Sequence, residues 1–136
     1  MFLLDTNVIS ELRNGKFQPS AKVRAWASTQ PTSQLYLSAV SSLELERDVQ
    51  RMERKDAAQG MILRNWLETI LAAFAGRILP FTHNTALLCA PMHVPDPRPL
   101  GDSMIAATAM EHGFTLVTRN VMDFDIPGVK VFNPWL

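Results

Sequence analysis

The sequence predicts an α/β fold: a three-layer α/β/α sandwich around a central, mainly parallel sheet. Short apolar runs at Phe2-Leu3-Leu4, Leu35-Tyr36-Leu37, Ile78-Leu79-Pro80-Phe81 and Thr115-Leu116-Val117-Thr118 have the length of buried strands. Between them lie longer stretches whose apolar residues recur at helical spacing. Strands separated by helices imply right-handed parallel crossovers, which place helices on both faces of one sheet. The 136 residues, 47% hydrophobic and 19% charged, suffice for one domain spanning 1–136 and lack the signature of disorder.

Each element has a local cause. After the first strand, Asp5-Thr6-Asn7 supplies helix-capping residues and Val8, Ile9 and Leu12 follow at helical spacing, until Asn14-Gly15 stops the helix. Pro19-Ser20 opens a second helix with Val23, Trp26 and Ala27 on one face, ending near Pro31. Ser41-Ser42-Leu43-Glu44 fits a capping box and predicts the start of a third, carrying Leu45, Val49 and Met52 and fading near Lys55. From Asp56 to Ala75 the apolar residues at 62, 66, 70 and 74, with Leu63 and Leu67, make the strongest helical pattern, closed by Gly76. A short helix is expected over Asn84 to Ala90. Pro91 to Pro99, with four prolines, reads as an irregular loop skirting a site. Gly101-Asp102 begins a helix with Ile105, Ala106, Ala109 and Met110 inward and His112-Gly113 at its end, and a last strand is expected over Val129-Val131-Phe132.

Composition excludes several classes. Thirteen Lys+Arg balance thirteen Asp+Glu, so bulk cationic charge is not the means of gripping nucleic acid. The single cysteine, Cys89, has no internal disulfide partner and reads as a small buried apolar residue. Met1-Phe2-Leu3-Leu4 lacks the features of a signal peptide and no apolar stretch approaches a bilayer span, so a cytoplasmic protein is expected. His83, His93 and His112 lack zinc-ligand spacing, and no haem or iron–sulfur motif occurs.

The chemistry lies in acids at strand ends and helix starts. Asp5 follows strand one, Glu44 follows strand two, Asp102 starts a helix, and Asn120 and Asp123 follow strand four. Parallel strands bring such positions to one carboxyl edge. Clustered carboxylates repel, and a divalent cation relieves that repulsion; all-oxygen ligands point to Mg²⁺ or Mn²⁺ and to hydrolysis of phosphodiesters. Taken singly, these residues also have structural readings: Asp5 as a cap, Glu44 in the capping box with Ser41, Asp102 on a helix dipole, and Asp123 as a loop acid. Arg119, Arg98 and Arg77 are candidates for phosphate, Arg119 being nearest the acids. Trp66, Ile70 and Phe74 read as core or a dimer face. An aspartyl phosphatase is disfavoured because Asp5-Thr6-Asn7 lacks a second Asp two residues on.

As a set, Leu3-Leu4-Asp5-Thr6-Asn7-Val8-Ile9-Ser10, Ser41-Ser42-Leu43-Glu44, Asp102-Ser103-Met104-Ile105-Ala106-Ala107-Thr108-Ala109 and Leu116-Val117-Thr118-Arg119-Asn120 resemble the PIN domain, over essentially the whole chain. Ala75-Gly76-Arg77-Ile78-Leu79-Pro80-Phe81 and Val131-Phe132-Asn133-Pro134-Trp135 are similar to the FitB-like branch of VapC-type toxins. The resemblance implies a Mg²⁺- or Mn²⁺-dependent endoribonuclease toxin, with Asp5, Glu44 and Asp102 as metal-binding acids and Thr6 and Thr118 holding carboxylates or water. Many relatives carry a fourth acid directly after the Thr-Arg pair. This chain has Asn120 there and its next carboxylate at Asp123, so either completes the site, and Arg119 holds substrate phosphate. The resemblance also implies a homodimer and a cognate antitoxin that masks the acidic pocket and makes any DNA contact indirect. With the fourth acid displaced, the rival reading is a catalytically weak antitoxin-binding module within a repressor complex.

Overall fold

The computed structural model describes residues 1–136. Its strands are β1 (Phe2–Leu4), β2 (Leu35–Ser38), β3 (Ile78–Leu79), β4 (Thr115–Val117) and β5 (Lys130–Phe132). They form one sheet in the order β3-β2-β1-β4-β5, every pair parallel. The helices are α1 (Thr6–Glu11), α2 (Ala21–Thr29), α3 (Ala39–Lys55), α4 (Ala57–Ala73), α5 (His83–Cys89) and α6 (Leu100–His112).

The layers follow from the strand period of two. Leu3 and Leu4 are both fully buried but point to opposite faces, as do Leu116 and Val117. Leu3 and Leu116 join a core with Ile105, Ala106 and Ala109 of α6 and with Phe124. Leu4 and Val117 join a second core with Val8 and Ile9 of α1, Val23 of α2, Leu45 and Val49 of α3, and Leu67 of α4. The expected sandwich is therefore present. No helix is long and apolar enough to cross a membrane.

The α3–α4 pair is locked by three local devices. Asp56 ends α3 and caps α4, accepting from the amides of Ala58 and Gln59 at 3.1 Å each. A Cβ at Gly60 would stand 2.5 Å from the Glu53 Cα, so only glycine permits this approach. Arg64 then spans to Glu46 at 2.6 Å and Glu53 at 3.0 Å.

Several local expectations are corrected. The third helix begins at Ala39, because the extended Ser38 turns its hydroxyl onto the Ser41 amide at 3.1 Å. Ser41 and Glu44 therefore form no capping box, and Glu44 sits in the second turn. The third strand stops at Leu79, since Pro80 has no amide to continue the ladder. The loop from Pro91 to Pro99 begins with a tight turn over Ala90–His93. It flanks an apolar hollow with Leu88, Met110 and Ile126 and contributes nothing to the acidic cleft. The last strand starts at Lys130, because the Val129 amide closes a turn onto Ile126 O at 3.1 Å.

Candidate active site

The site grows from the carboxyl ends of β1 and β4. Asp5 follows β1, and its amide donates to Val117 O at 2.9 Å, which aligns it with the end of β4. One carboxylate oxygen caps α1, accepting from the Thr6 amide at 2.8 Å. The other accepts from the Thr118 hydroxyl at 2.8 Å. Both oxygens are thus oriented, and only 5% of the residue is exposed.

Glu44 is held from the α1 side. The Thr6 hydroxyl donates to Glu44 Oε1 at 2.7 Å and stands 3.1 Å from the buried Ser41 hydroxyl. A Cβ at Gly101 would lie 3.1 Å from Glu44 Oε2, so the bare backbone of α6 makes room for this carboxylate. Asp102, next in the first turn of α6, completes the wall.

These acids share a cleft of about 390 Å³ with Asn7, Ser10, Glu11, Lys16, Arg47, Arg119, Asn120 and Trp135. Asn120 is fixed by its amide, which donates to the Thr118 hydroxyl at 3.1 Å. Asp123 does not line the cleft; it lies in a tight turn over Val121–Phe124, from which its charge acts on Asp102. Arg98 and Arg77 lie elsewhere and serve the backbone: Arg98 donates to Met92 O at 3.1 Å, and Arg77 to Thr32 O at 2.6 Å and Ala73 O at 2.7 Å.

The cleft disfavours its own ionisation. Burial pushes the Asp5 carboxyl up from 3.8 to about 6, against the hydrogen bonds from Thr118 and Thr6; the charges of Asp102 and Glu44 add to the rise. Asp102 is raised by burial, then by Asp123 and Glu44. Glu11 behaves oppositely. Burial opposes its charge, but the Ser20 amide at 2.7 Å and Lys16 at 3.3 Å prevail and keep its carboxyl below the ordinary range.

The donor set suits a hard cation. All three acids and Asn120 offer oxygen, and the Asn7 Oδ1 is buried without any hydrogen-bond partner. No three His, Cys, Asp or Glu side chains converge closely enough to enclose an ion by themselves. Oxygen donors of this kind fit a hard divalent cation.

Residues 2–125 match the family described as PIN domain. The chain belongs to the PIN domain family. This PIN domain is 38% identical over 141 residues to the VapC ribonuclease Y4jK of Sinorhizobium fredii, covering 99% of this chain and 98% of the relative. It is 40% identical over 143 residues to toxin FitB of Neisseria gonorrhoeae, covering 99% of each. The solved structure of FitAB bound to an IR36 DNA fragment matches it with a TM-score of 0.89 at 37% identity, over 100% of this chain and 96% of that chain.

Sequence reasoning passed over several residues of the cleft. Glu11 had a signal, since it follows Asn7 by four and shares its helix face. Lys16, Arg47 and Trp135 had none, because no local spacing aims them at the acids.

Proposed function

We propose that this PIN domain is the toxin ribonuclease of a toxin–antitoxin pair, an endoribonuclease that hydrolyses RNA phosphodiester bonds with Mg²⁺ or Mn²⁺. One observation carries the reading: Asp5, Glu44 and Asp102, from three separate elements, line one cleft, where the charges of Asp102 and Glu44 oppose ionisation of Asp5 and that of Glu44 opposes ionisation of Asp102. The relatives named VapC ribonuclease and toxin FitB support the same activity.

In this reading Asp5, Glu44 and Asp102 hold the cation directly or through water, Asn120 completes the set, and Asp123 acts from outside the cleft wall through its charge on Asp102. A divalent ion there supplies an activated water and neutralises charge on the phosphodiester. Thr118 and the Thr6 amide aim the two Asp5 oxygens, and the Thr6 hydroxyl aims Glu44. Arg119, at the rim, offers a positive charge to the substrate phosphate. No covalent enzyme intermediate is required.

The FitAB complex bound to DNA supports an assembly with a partner protein on DNA; in this reading that partner is a cognate antitoxin that covers the cleft and carries any contact with DNA. An acidic cleft suits a basic residue from such a partner. The protein acts as a homodimer in the cytoplasm, where its RNA substrate lies. A second reading, a co-repressor with little catalysis, draws on Asn120 standing where many relatives have an acid.

Purified protein incubated with RNA and Mn²⁺ tests both. Cleavage that EDTA stops and Asp5→Asn abolishes supports the nuclease. Cleavage that persists in either case overturns it, and no cleavage by protein that still binds its antitoxin supports the co-repressor.

A further inference from the structure

One side chain of the cleft has no part in holding a cation or moving a proton. Trp135 is the sole apolar residue lining it, half-buried and packed on the core that contains Leu4 and Val117. The Arg119 guanidinium lies 5.4 Å from the indole centroid. None of the ion pairs in the chain uses Arg119. Asn133 braces the two residues together: its Oδ1 accepts from the Trp135 amide at 2.9 Å, and its Nδ2 donates to Arg119 O at 3.3 Å.

A free guanidinium on a braced indole, beside a cleft of carboxylates, is a surface on which a nucleobase stacks while the adjoining phosphate meets the cation. The chain as a whole is neutral and cannot hold RNA by bulk charge. Stacking needs no net charge, so it provides affinity that the composition otherwise withholds. A base paired within a duplex has no free face to offer.

We infer that Trp135, with Arg119, forms a stacking platform for an unpaired nucleobase next to the scissile phosphate, which makes Trp135 a specificity-determining residue. This rests on the ribonuclease reading above. Trp135→Leu keeps an apolar contact with the core but loses the aromatic face, and Trp135→Phe keeps a smaller one; melting curves establish that each folds.

In the wild type, an abasic nucleotide beside the cut raises KM roughly tenfold, the scale of one lost stacking contact, with kcat little changed. Trp135→Leu does the same on intact RNA and adds nothing on abasic RNA, and Trp135→Phe falls between. Additive losses, an unchanged KM in Trp135→Leu, or equal cleavage of duplex and single strand overturn the platform. Quenching of indole fluorescence by intact RNA in the Asp5→Asn protein supplies a readout without hydrolysis. Quenching that survives Trp135→Phe overturns the platform. Quenching that Trp135→Phe removes upholds it, even if the wild type proves unable to cut.

Discussion

Gly101 leaves the space that the Glu44 carboxylate occupies: a Cβ at position 101 would stand 3.1 Å from Glu44 Oε2. Two segments more than fifty residues apart thus share one small volume at the mouth of α6.

Gly101→Ala separates activity from stability. Alanine is the better helix former by up to about 1 kcal/mol, while its methyl group pushes the Glu44 carboxylate aside. The expected outcome is an unchanged or higher melting temperature with roughly tenfold weaker Mn²⁺-dependent cleavage, that factor corresponding to a loss of about 1.4 kcal/mol. Melting curves and a metal titration of activity check it. An undiminished metal response shows that Glu44 does not depend on the gap.

The raised carboxyls make metal-free stability depend on pH in a defined direction. Asp5 binds its proton more tightly folded than unfolded, so its contribution is fully present below 3.8 and is lost as pH rises through about 6. The loss at neutral pH is on the order of 3 kcal/mol. Asp102 acts in the same direction. Glu11 acts oppositely, losing its contribution as pH falls below the ordinary carboxylate range. In EDTA, denaturation midpoints are expected to fall between pH 4 and 6.5, and Asp5→Asn or Asp102→Asn flattens the fall. Added Mg²⁺ at pH 7 stabilises the wild type alone. A large loss of stability in metal-free Asp102→Asn indicates a helix cap instead.

Thr118→Val tests how Asp5 is aimed. The hydroxyl donates to Asp5 and accepts from the Asn120 backbone amide, and its loss leaves Asp5 with the Thr6 amide alone and the Asn120 amide without a partner. A destabilisation of about 1–3 kcal/mol is expected by denaturant titration. With the strongest hydrogen bond to its ionised form removed, Asp5 titrates higher still, and the acidic limb of the pH–rate profile moves up. A stationary limb disconnects Asp5 from the observed ionisation.

Gly60→Ala probes the α3–α4 pair away from the cleft. With a Cβ only 2.5 Å from the Glu53 Cα, the helices must separate, and a loss of about 1–3 kcal/mol is expected. Thermal unfolding measures it. A neutral result means the hairpin opens without cost.

What proved legible in the sequence was local. Phe2-Leu3-Leu4 followed by Asp5-Thr6-Asn7 encodes a strand, a cap and a helix within ten residues, and the cap is present as a hydrogen bond. The Ser41–Glu44 spacing misled, because Ser38 offers the same capping chemistry three residues earlier, at the point where β2 ends. The position of Asp123 after the fourth strand points to the acids; its charge does act on Asp102, yet its turn keeps it out of the cleft wall.

By itself the sequence determined the succession of parallel crossovers and the stations of Asp5, Glu44 and Asp102, since periodicity and caps operate over a few neighbouring residues. Only the tertiary structure decided that Glu44 fills the space beside Gly101, that Glu11 and Lys16 enter the cleft as a pair, and that Asn133 ties Trp135 to Arg119. Those relationships depend on how far one element slides and turns against another, and that is set by the packing of the two cores.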